Sequence, residues 1–268
     1  NAADGSLVWR FKGSTGADTM LGNGRISSLW PVRTGVLVAD GRVYFASGIF
    51  PWHGINLFAL KAETGEVLWK QNGKTEKTDK VRLPTGGWAP QGYLLATDQL
   101  LITPNGRNRP IFWKIQDGTL VTPPNMPDGD KGEISGIYGM ISGHRLFVGT
   151  QNALYGIGLT PDAKATKMSS ANLLLVRDNV QYVLQGEIPG KYGRAKPPAV
   201  HSISARASGD TKKKIWNYSR PALESMIACG LWIFTGGNNE VIALEATTGK
   251  ETWVGPVEGV AAGLAAAS

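Results

Sequence analysis

The chain has 268 residues, a net charge of +7, 42% hydrophobic and 18% charged residues, and 35 glycines. That length can bury a sizeable core, and a glycine-rich, charge-poor composition suits many strands joined by tight turns. The single cysteine, Cys229, rules out an internal disulfide and a CxxCH haem site, and no apolar run approaches the roughly 20 residues of a membrane-spanning helix.

Residues 1–10, NAADGSLVWR, read as the outer strand of a unit whose other strands are absent. Gly5 stands four residues before Trp9, as Gly65 does before Trp69 and Gly249 before Trp253. In each case a tight turn needing a small residue precedes a strand whose tryptophan can dock on a neighbouring unit. Residues 12–30 read as a polar, glycine-rich connection. Residues 21–25 in it, LGNGR, form a loop without the spacing or following helix of a phosphate cradle.

Residues 34–70 give the first full unit, with strands at 35–39, 42–47, 55–61 and 66–70. Asp40-Gly41, a Gly/Pro/His loop and Thr64-Gly65 supply the turns between them. A second unit covers 91–122, with Thr122 in the place of the docking tryptophan. A third spans 136–170, turning at Gly143-His144. Its fourth strand is poorly marked, and a short helix or irregular excursion is expected over 161–170. The fourth, 172–218, has a hairpin over Asp178-Asn179, a long basic loop at 188–198 and Trp216 as its docking residue. The fifth, 222–254, is regular, and its IALEATTGKETW echoes FALKAETGEVLW of the first. Residues 256–268 read as a further partial unit, its Gly- and Ala-rich end forming an innermost strand. From Trp9 to Trp69 is 60 residues and from Trp216 to Trp253 is 37, which brackets the roughly 40 to 45 residues of a compact four-stranded blade. The expected fold is therefore all-β: a β-propeller of four-stranded antiparallel blades, five complete and two partial, in one domain.

The run from Ala59 to Trp69, ALKAETGEVLW, resembles the repeat of the PQQ-binding-like propellers, a group that includes quinoprotein alcohol dehydrogenases and lipoproteins of the BamB type. ALEATTGKETW, ending at Trp253, matches equally well, and residues 1–9 less fully. The resemblance implies a ring of seven or eight blades, of which this chain would supply part. It also implies that the remaining blades come from a longer chain or an associated one. Strands at 1–10 and 259–268 could not pair across the gap of two missing strands at spacings of about 4.8 Å. Such a ring in quinoprotein dehydrogenases carries pyrroloquinoline quinone and a calcium ion over its centre, beside a pair of adjacent cysteines. A single cysteine lacks that pair. Asp128, Asp130 and Glu133 come nearest to a calcium set but lack its loop spacing and read as a solvated acidic turn. No cofactor is expected.

Of the three histidines, His144 falls in a hairpin turn, His201 at a strand and His53 in the aromatic loop Phe50-Pro51-Trp52-His53. The connections expected on one face of the ring carry Trp30, Arg33, Trp52, His53, Trp88, Asn105, Arg107, Asn108, Arg109, Lys191, Arg194, Asn238 and Asn239. Aromatic rings among Arg and Asn suit a sugar, an anionic polymer or a protein loop. Equally, they are ordinary loop residues with tryptophans packed between blades. Trp9, Trp69, Trp216 and Trp253 are expected to be structural. The basic residues are scattered apart from Lys212, Lys213 and Lys214, so nucleic acid is not an expected partner. Three functions fit. The first is a non-enzymatic module binding a protein or polysaccharide within a larger extracytoplasmic protein. The second is a divergent quinoprotein oxidoreductase with its cofactor ligands elsewhere. The third is a polysaccharide-acting hydrolase or lyase using the Trp52/His53 loop, for which no nucleophile elbow or metal-ligand spacing is present.

Overall fold

The computed structural model describes residues 1, 3–14, 16–22, 24–73, 89–106, 108–121, 138–150, 153–160, 165–167, 171, 173–186, 201–208 and 210–266. Turn chemistry sets its hairpins. Asp40 and Gly41 both take positive φ, 47° and 70°, as do Asp178 and Asn179 at 49° and 59°. That pairing is the pattern of a type I′ turn, whose twist matches the strands it joins.

The chain divides into two compact units, Asn1–Gly139 with Thr160–Ala163, and Met140–Leu159 with Lys164–Ser268. The first unit begins with a two-stranded hairpin, β1 (Thr19–Gly22) and β2 (Arg25–Ser28). It continues with β3 (Leu37–Ala39), β4 (Arg42–Ser47), β5 (Ile55–Lys61) and β6 (Val67–Gly73), paired in chain order as an antiparallel sheet. A second such sheet holds β7 (Leu95–Ala96), β8 (Leu100–Asn105), β9 (Asn108–Lys114) and β10 (Leu120–Val121).

The other unit is built from β11 (Tyr138–Ser142), β12 (Arg145–Thr150), β13 (Ala153–Gly158) and β14 (Ala165–Lys167) in one sheet. Another contains β15 (Leu173–Arg177), β16 (Val180–Gln185), β17 (His201–Ala207) and β18 (Asp210–Arg220). The last has three strands, β19 (Ser225–Cys229), β20 (Trp232–Glu245) and β21 (Glu251–Val260). The first half of the 14-residue β20 pairs with β19 and its second half with β21, with Asn239 at φ 62° between them.

The middle strands are buried on both faces. In β4 and β5 every residue from Val43 to Ser47 and from Ile55 to Leu60 is buried, because each face meets a different apolar layer. Tyr44, Ala46, Leu57, Ala59 and Trp69 pack against Leu94, Leu101, Trp113 and Ile115 of the following sheet. The opposite face, Val43, Phe45, Phe58 and Leu60, packs against Trp9 and Phe11. The second unit repeats the plan. Tyr182, Leu184, Ile203 and Ala205 pack against Leu223, Met226, Ile233, Ile242 and Leu244, while Leu174 and Val183 meet Phe147 and Leu154.

One latch recurs at Trp9, Trp69 and Trp216. The Trp69 indole N–H donates to the Ile115 carbonyl at 3.1 Å, and its ring lies on Gly118, where a Cβ would stand 2.6 Å away. Trp216 donates to the Ala246 carbonyl at 2.9 Å and lies on Gly249 at 2.5 Å. Trp9 donates to Ala62 at 2.8 Å and lies on Gly65 at 2.7 Å. In all three the acceptor stands three residues before the glycine, so one five-membered turn supplies both the flat seat and the carbonyl. Glycine is required twice over there: φ is 70° to 73° at the three seats, and the indole occupies the space a side chain would need. A tyrosine completes the module. Tyr44 tilts against Trp69 with centroids 6.0 Å apart, and Tyr182 against Trp216 at 5.8 Å, each two strands away in register from the indole it supports.

Several sequence expectations change. Residues 3–13 contain no strand, although Trp9 and Phe11 pack as a strand's side chains would. The expected loop at 12–30 contains the hairpin β1–β2, whose Leu21 and Ile26 pair across the strands with both side chains exposed. The irregular stretch at 161–170 contains β14. Residues 259–268 supply no separate innermost strand: Val260 ends β21 and 261–266 follow without strand structure. Ala261 instead caps the start of the last sheet, its N–H donating to Gly237 at 3.0 Å and its carbonyl accepting from Ser225 Oγ at 2.5 Å. Thr122 lies outside the described residues. Cys229 is half-buried in β19.

Trp69 is 8% exposed, so its removal leaves a cavity between two sheets, while the Ile115 carbonyl keeps Arg42 Nη1 as a donor at 3.1 Å. Trp69→Ala should cost about 3 to 5 kcal/mol in urea denaturation, Trp69→Phe less, and Val38→Ala at a 64% exposed position no more than about 0.5 kcal/mol.

Candidate functional site

Between β4 and β5 the chain is pinched. Gly48 sits at φ 114° with the Gly54 carbonyl 2.7 Å from where its Cβ would be, so the two strands meet at glycines and expel the intervening residues. Those residues close into a single 3-10 turn, Pro51–His53, with Phe50 extended at its start and Pro51 supplying a preset φ. His53 N–H donates to Phe50 at 3.0 Å and Gly54 N–H to Pro51 at 3.1 Å.

So tight a turn drives three rings together. Phe50 and Trp52 stack at 4.7 Å with planes 14° apart, and His53 stands edge-on to both, 5.8 Å from Phe50 and 5.9 Å from Trp52. Trp52 is 39% exposed and His53 is exposed, which leaves an aromatic ledge facing water.

The segment before β3 fastens this ledge from behind. Trp30 Nε1 donates to the His53 carbonyl at 3.0 Å while its ring covers Gly16, where a Cβ would lie 2.5 Å from the ring. Arg33 Nη1 donates to the Ile49 carbonyl at 3.3 Å, and Gly48 N–H to the Pro31 carbonyl at 3.0 Å. Trp30, Arg33, Trp52 and His53 are thus brought together. Trp30 positions the loop, whereas Arg33 remains exposed and keeps a charge beside it.

Other sequence candidates do different work. Asn105 is 4% exposed and its Oδ1 accepts from Ala89 N–H at 2.7 Å, so it is a buried backbone clamp and not a surface contact. Arg109 is half-buried on β9, and Asn238 is exposed on β20 in the other unit. Asn239 Oδ1 accepts from Gly259 N–H at 3.0 Å. Trp88, Arg107, Lys191 and Arg194, with the Asn108 side chain, lie outside the described residues. Of the second unit's histidines, His144 is exposed in its turn, and His201 Nδ1 donates to the Leu223 carbonyl at 2.7 Å. Among the tryptophans expected to dock, Trp253 departs from the rest. It is 53% exposed, and its ring reaches only back over Gly255 of its own strand.

Among the described residues, no three His, Cys, Asp or Glu side chains converge. The acidic triplet Asp128, Asp130 and Glu133 lies outside those residues.

A polar cluster that no spacing in the sequence announces joins two sheets of the second unit. Arg220 on β18 grips Glu240 on β20 through both branches, Nε to Oε1 at 2.7 Å and Nη2 to Oε2 at 2.6 Å. Its Nη1 reaches Glu251 Oε2 at 3.0 Å, which also accepts from the Tyr218 hydroxyl at 2.6 Å. The paired carboxylate holds Arg220 above the usual guanidinium range. Burial, helped by the hydrogen bond to Glu251, pushes Tyr218 up to about 12. The one guanidinium of Arg220 serves both carboxylates, and the Tyr218 hydroxyl adds a hydrogen bond to Glu251, so the cluster reads as a structural staple.

A tyrosine whose folded pKa lies above its unfolded value holds its proton more tightly when folded, so its contribution to stability falls as pH rises between the two. For Tyr218 that window runs from about 10 to about 12. Wild type should lose stability through it more steeply than Tyr218→Phe in denaturation midpoints measured against pH. Identical slopes would show that the phenol is not held protonated by the fold.

Residues 1–125 match the family model of the outer membrane protein assembly factor BamB. No curated protein matches the chain in sequence. Among solved structures, the chain aligns with BamB from Moraxella catarrhalis at TM-score 0.53 and 15% identity, covering 88% of this chain and 67% of that one. It aligns with a quinohemoprotein alcohol dehydrogenase from Pseudomonas putida at TM-score 0.54 and 12% identity, covering 86% of this chain and 53% of the other. The computationally designed Ika8 protein aligns at TM-score 0.58 and 12% identity, with coverage of 89% and 65%. The chain thus spans about half to two thirds of these proteins. At such identities the likeness speaks to fold alone, and the fold is that of a PQQ-like β-propeller.

Proposed function

We propose that this PQQ-like β-propeller chain is a non-enzymatic binding module within a larger extracytoplasmic protein, and that its partner, a protein or a polysaccharide, docks on the aromatic ledge at Phe50, Trp52 and His53. The observation that carries the reading is the way the ledge is built. Two glycines pinch it out of the sheet, and Trp30 and Arg33 brace it from behind. Trp52 and His53 then stay exposed, and Phe50 half-buried, instead of folding into the apolar layers.

Rigid aromatic rings gain contact area at little conformational cost, and a neighbouring guanidinium adds hydrogen-bonding reach. A sugar face or an apolar side chain of a protein loop can lie on such a ledge. The similarity to a BamB-type assembly factor favours a protein partner in an extracytoplasmic setting. No helix in the described residues is long and apolar enough to cross a membrane.

The test compares wild type with Trp52→Ala and His53→Ala for retention by a panel of neutral and anionic polysaccharides in affinity electrophoresis. Capture of envelope proteins after crosslinking is the parallel arm. At least one ligand should be held by wild type and weakened about tenfold or more in Trp52→Ala, the usual scale for an aromatic anchor, with melting temperature nearly unchanged. Equal retention by wild type and variants, or loss matched by a fall in melting temperature, would overturn the assignment. Dye reduction with alcohols after addition of quinone and calcium would instead establish an oxidoreductase.

A further inference from the structure

One stretch of the first unit ties the ledge to the sheet β7–β10. Val32 bridges Ser47 at the end of β4, and Thr34 bridges Gly92 ahead of β7. Gly35 N–H then donates to the Gly92 carbonyl at 2.9 Å. Arg33 stands in the middle of this stretch, exposed, with its guanidinium against Ile49, the residue before Phe50.

Arg33 is a cation without an anion. Its Nη1 donates to the Ile49 carbonyl at 3.3 Å, and among the described residues no carboxylate pairs with it. Arg177 and Arg220, by contrast, each hold one or two carboxylates. Two residues beyond Arg33, the Tyr93 ring lies on Gly35, where a Cβ would stand 2.5 Å from it, and Tyr93 is 75% exposed. Two residues of backbone span at most about 7 Å. The stretch thus carries an exposed ring at each end, Trp52 with His53 on the ledge and Tyr93 on Gly35, and an unanswered cation between them.

We propose that Trp52, Arg33 and Tyr93 form one track for an acidic polysaccharide, with sugar faces on the two rings and a uronate carboxylate on the Arg33 guanidinium. The inference rests on the ledge being the docking site and adds the class of its ligand. The apolar C–H face of a pyranose lies flat on an open aromatic ring. A carboxylate is the planar anion that fits a guanidinium fork, and Arg33, holding one carbonyl, has donors left for it. Rings set apart along a stretch of chain suit successive residues of a polymer, whereas the anchors of a protein interface gather in one desolvated pocket. The net charge of +7 draws a polyanion to the molecule without choosing the site.

The experiment is affinity electrophoresis of the full 268-residue chain in gels holding polygalacturonate, its methyl ester or neutral dextran. Wild type should bind polygalacturonate about tenfold or more tightly than the methyl ester. Arg33→Gln should lose that advantage and Arg33→Lys should recover part of it. Tyr93→Ala should weaken polygalacturonate binding about threefold or more. Lys250→Gln removes the same charge from an exposed position in the other unit and should bind like wild type. Circular dichroism verifies that each variant folds. No retardation by polygalacturonate, equal affinity for its methyl ester, equal losses in Arg33→Gln and Lys250→Gln, or unchanged binding in Tyr93→Ala would each overturn the acidic track. Trp52→Ala separates this outcome from failure of the ledge itself. If that variant alone loses a polymer, the ledge stands without the track; if it binds every polymer like wild type, both fall.

Discussion

Everything in this chain depends on an indole lying on a glycine. A sheet of four short strands cannot hold itself together in water, because its middle strands need apolar cover on both faces. Trp9, Trp69 and Trp216 give that cover direction. Each ring demands a flat, side-chain-free surface, and its N–H demands an acceptor at one point on the ring's edge. The Thr-Gly or Asp-Gly turn of the following sheet meets both demands, at Gly65 with Ala62, Gly118 with Ile115 and Gly249 with Ala246. A shift of one residue in either partner would leave a buried N–H without an acceptor, costing about 1 to 3 kcal/mol. The latch therefore sets register between sheets that share no backbone ladder.

Burial on both faces has a second consequence, in the polar groups of the middle strands. Ser47, Thr103 and Thr235 are fully buried, and each has a partner. Ser47 Oγ donates to the Gly13 carbonyl at 2.6 Å, Thr103 Oγ1 accepts from Trp113 Nε1 at 3.1 Å, and Thr235 Oγ1 donates to the Ser225 carbonyl at 2.9 Å. Ala46 N–H is taken by Thr34 Oγ1 at 2.8 Å, and Arg33 N–H returns to Ala46 O at 3.1 Å. The segments entering the β3–β6 sheet are thus pinned to β4 by side-chain oxygens of Thr34 and Ser47. The aromatic ledge depends on that pinning, since Pro31 and Arg33 are the residues that meet Gly48 and Ile49.

What could be read from the sequence was whatever is encoded locally. Asp40-Gly41 and Asp178-Asn179 announce their turns because few residue pairs tolerate two positive φ values. The Gly-to-Trp spacing announces the docking strand because turn and ring belong to one hairpin. Asn105 was misjudged for the opposite reason: an asparagine beside a glycine turn looks like a surface residue until Ala89, 16 residues earlier, is found on its oxygen. The Arg220–Glu240–Glu251 staple spans 31 residues and follows no helical or strand spacing. Trp30 was read as a contact residue, yet its indole serves His53 from 23 residues away. The hairpin β1–β2 escaped because its strands are four residues each and its cross-strand pair, Leu21 and Ile26, is exposed, so no alternation of burial marks it.

The same grammar separates what stabilises the chain from what it presents. Rings whose N–H finds a carbonyl across a sheet boundary, Trp9, Trp69 and Trp216, belong to the architecture. Trp30 follows a local version of the rule, donating to His53 over Gly16, and so belongs to the scaffold of the ledge although it lies among the loops. Trp52 is stacked on Phe50 of its own turn and is 39% exposed. It holds large apolar surface at the boundary with solvent, where burying it on association gains free energy in proportion to the area covered. An indole's partner, more than its position in a repeat, tells whether it is part of the fold or part of what the fold offers to another molecule.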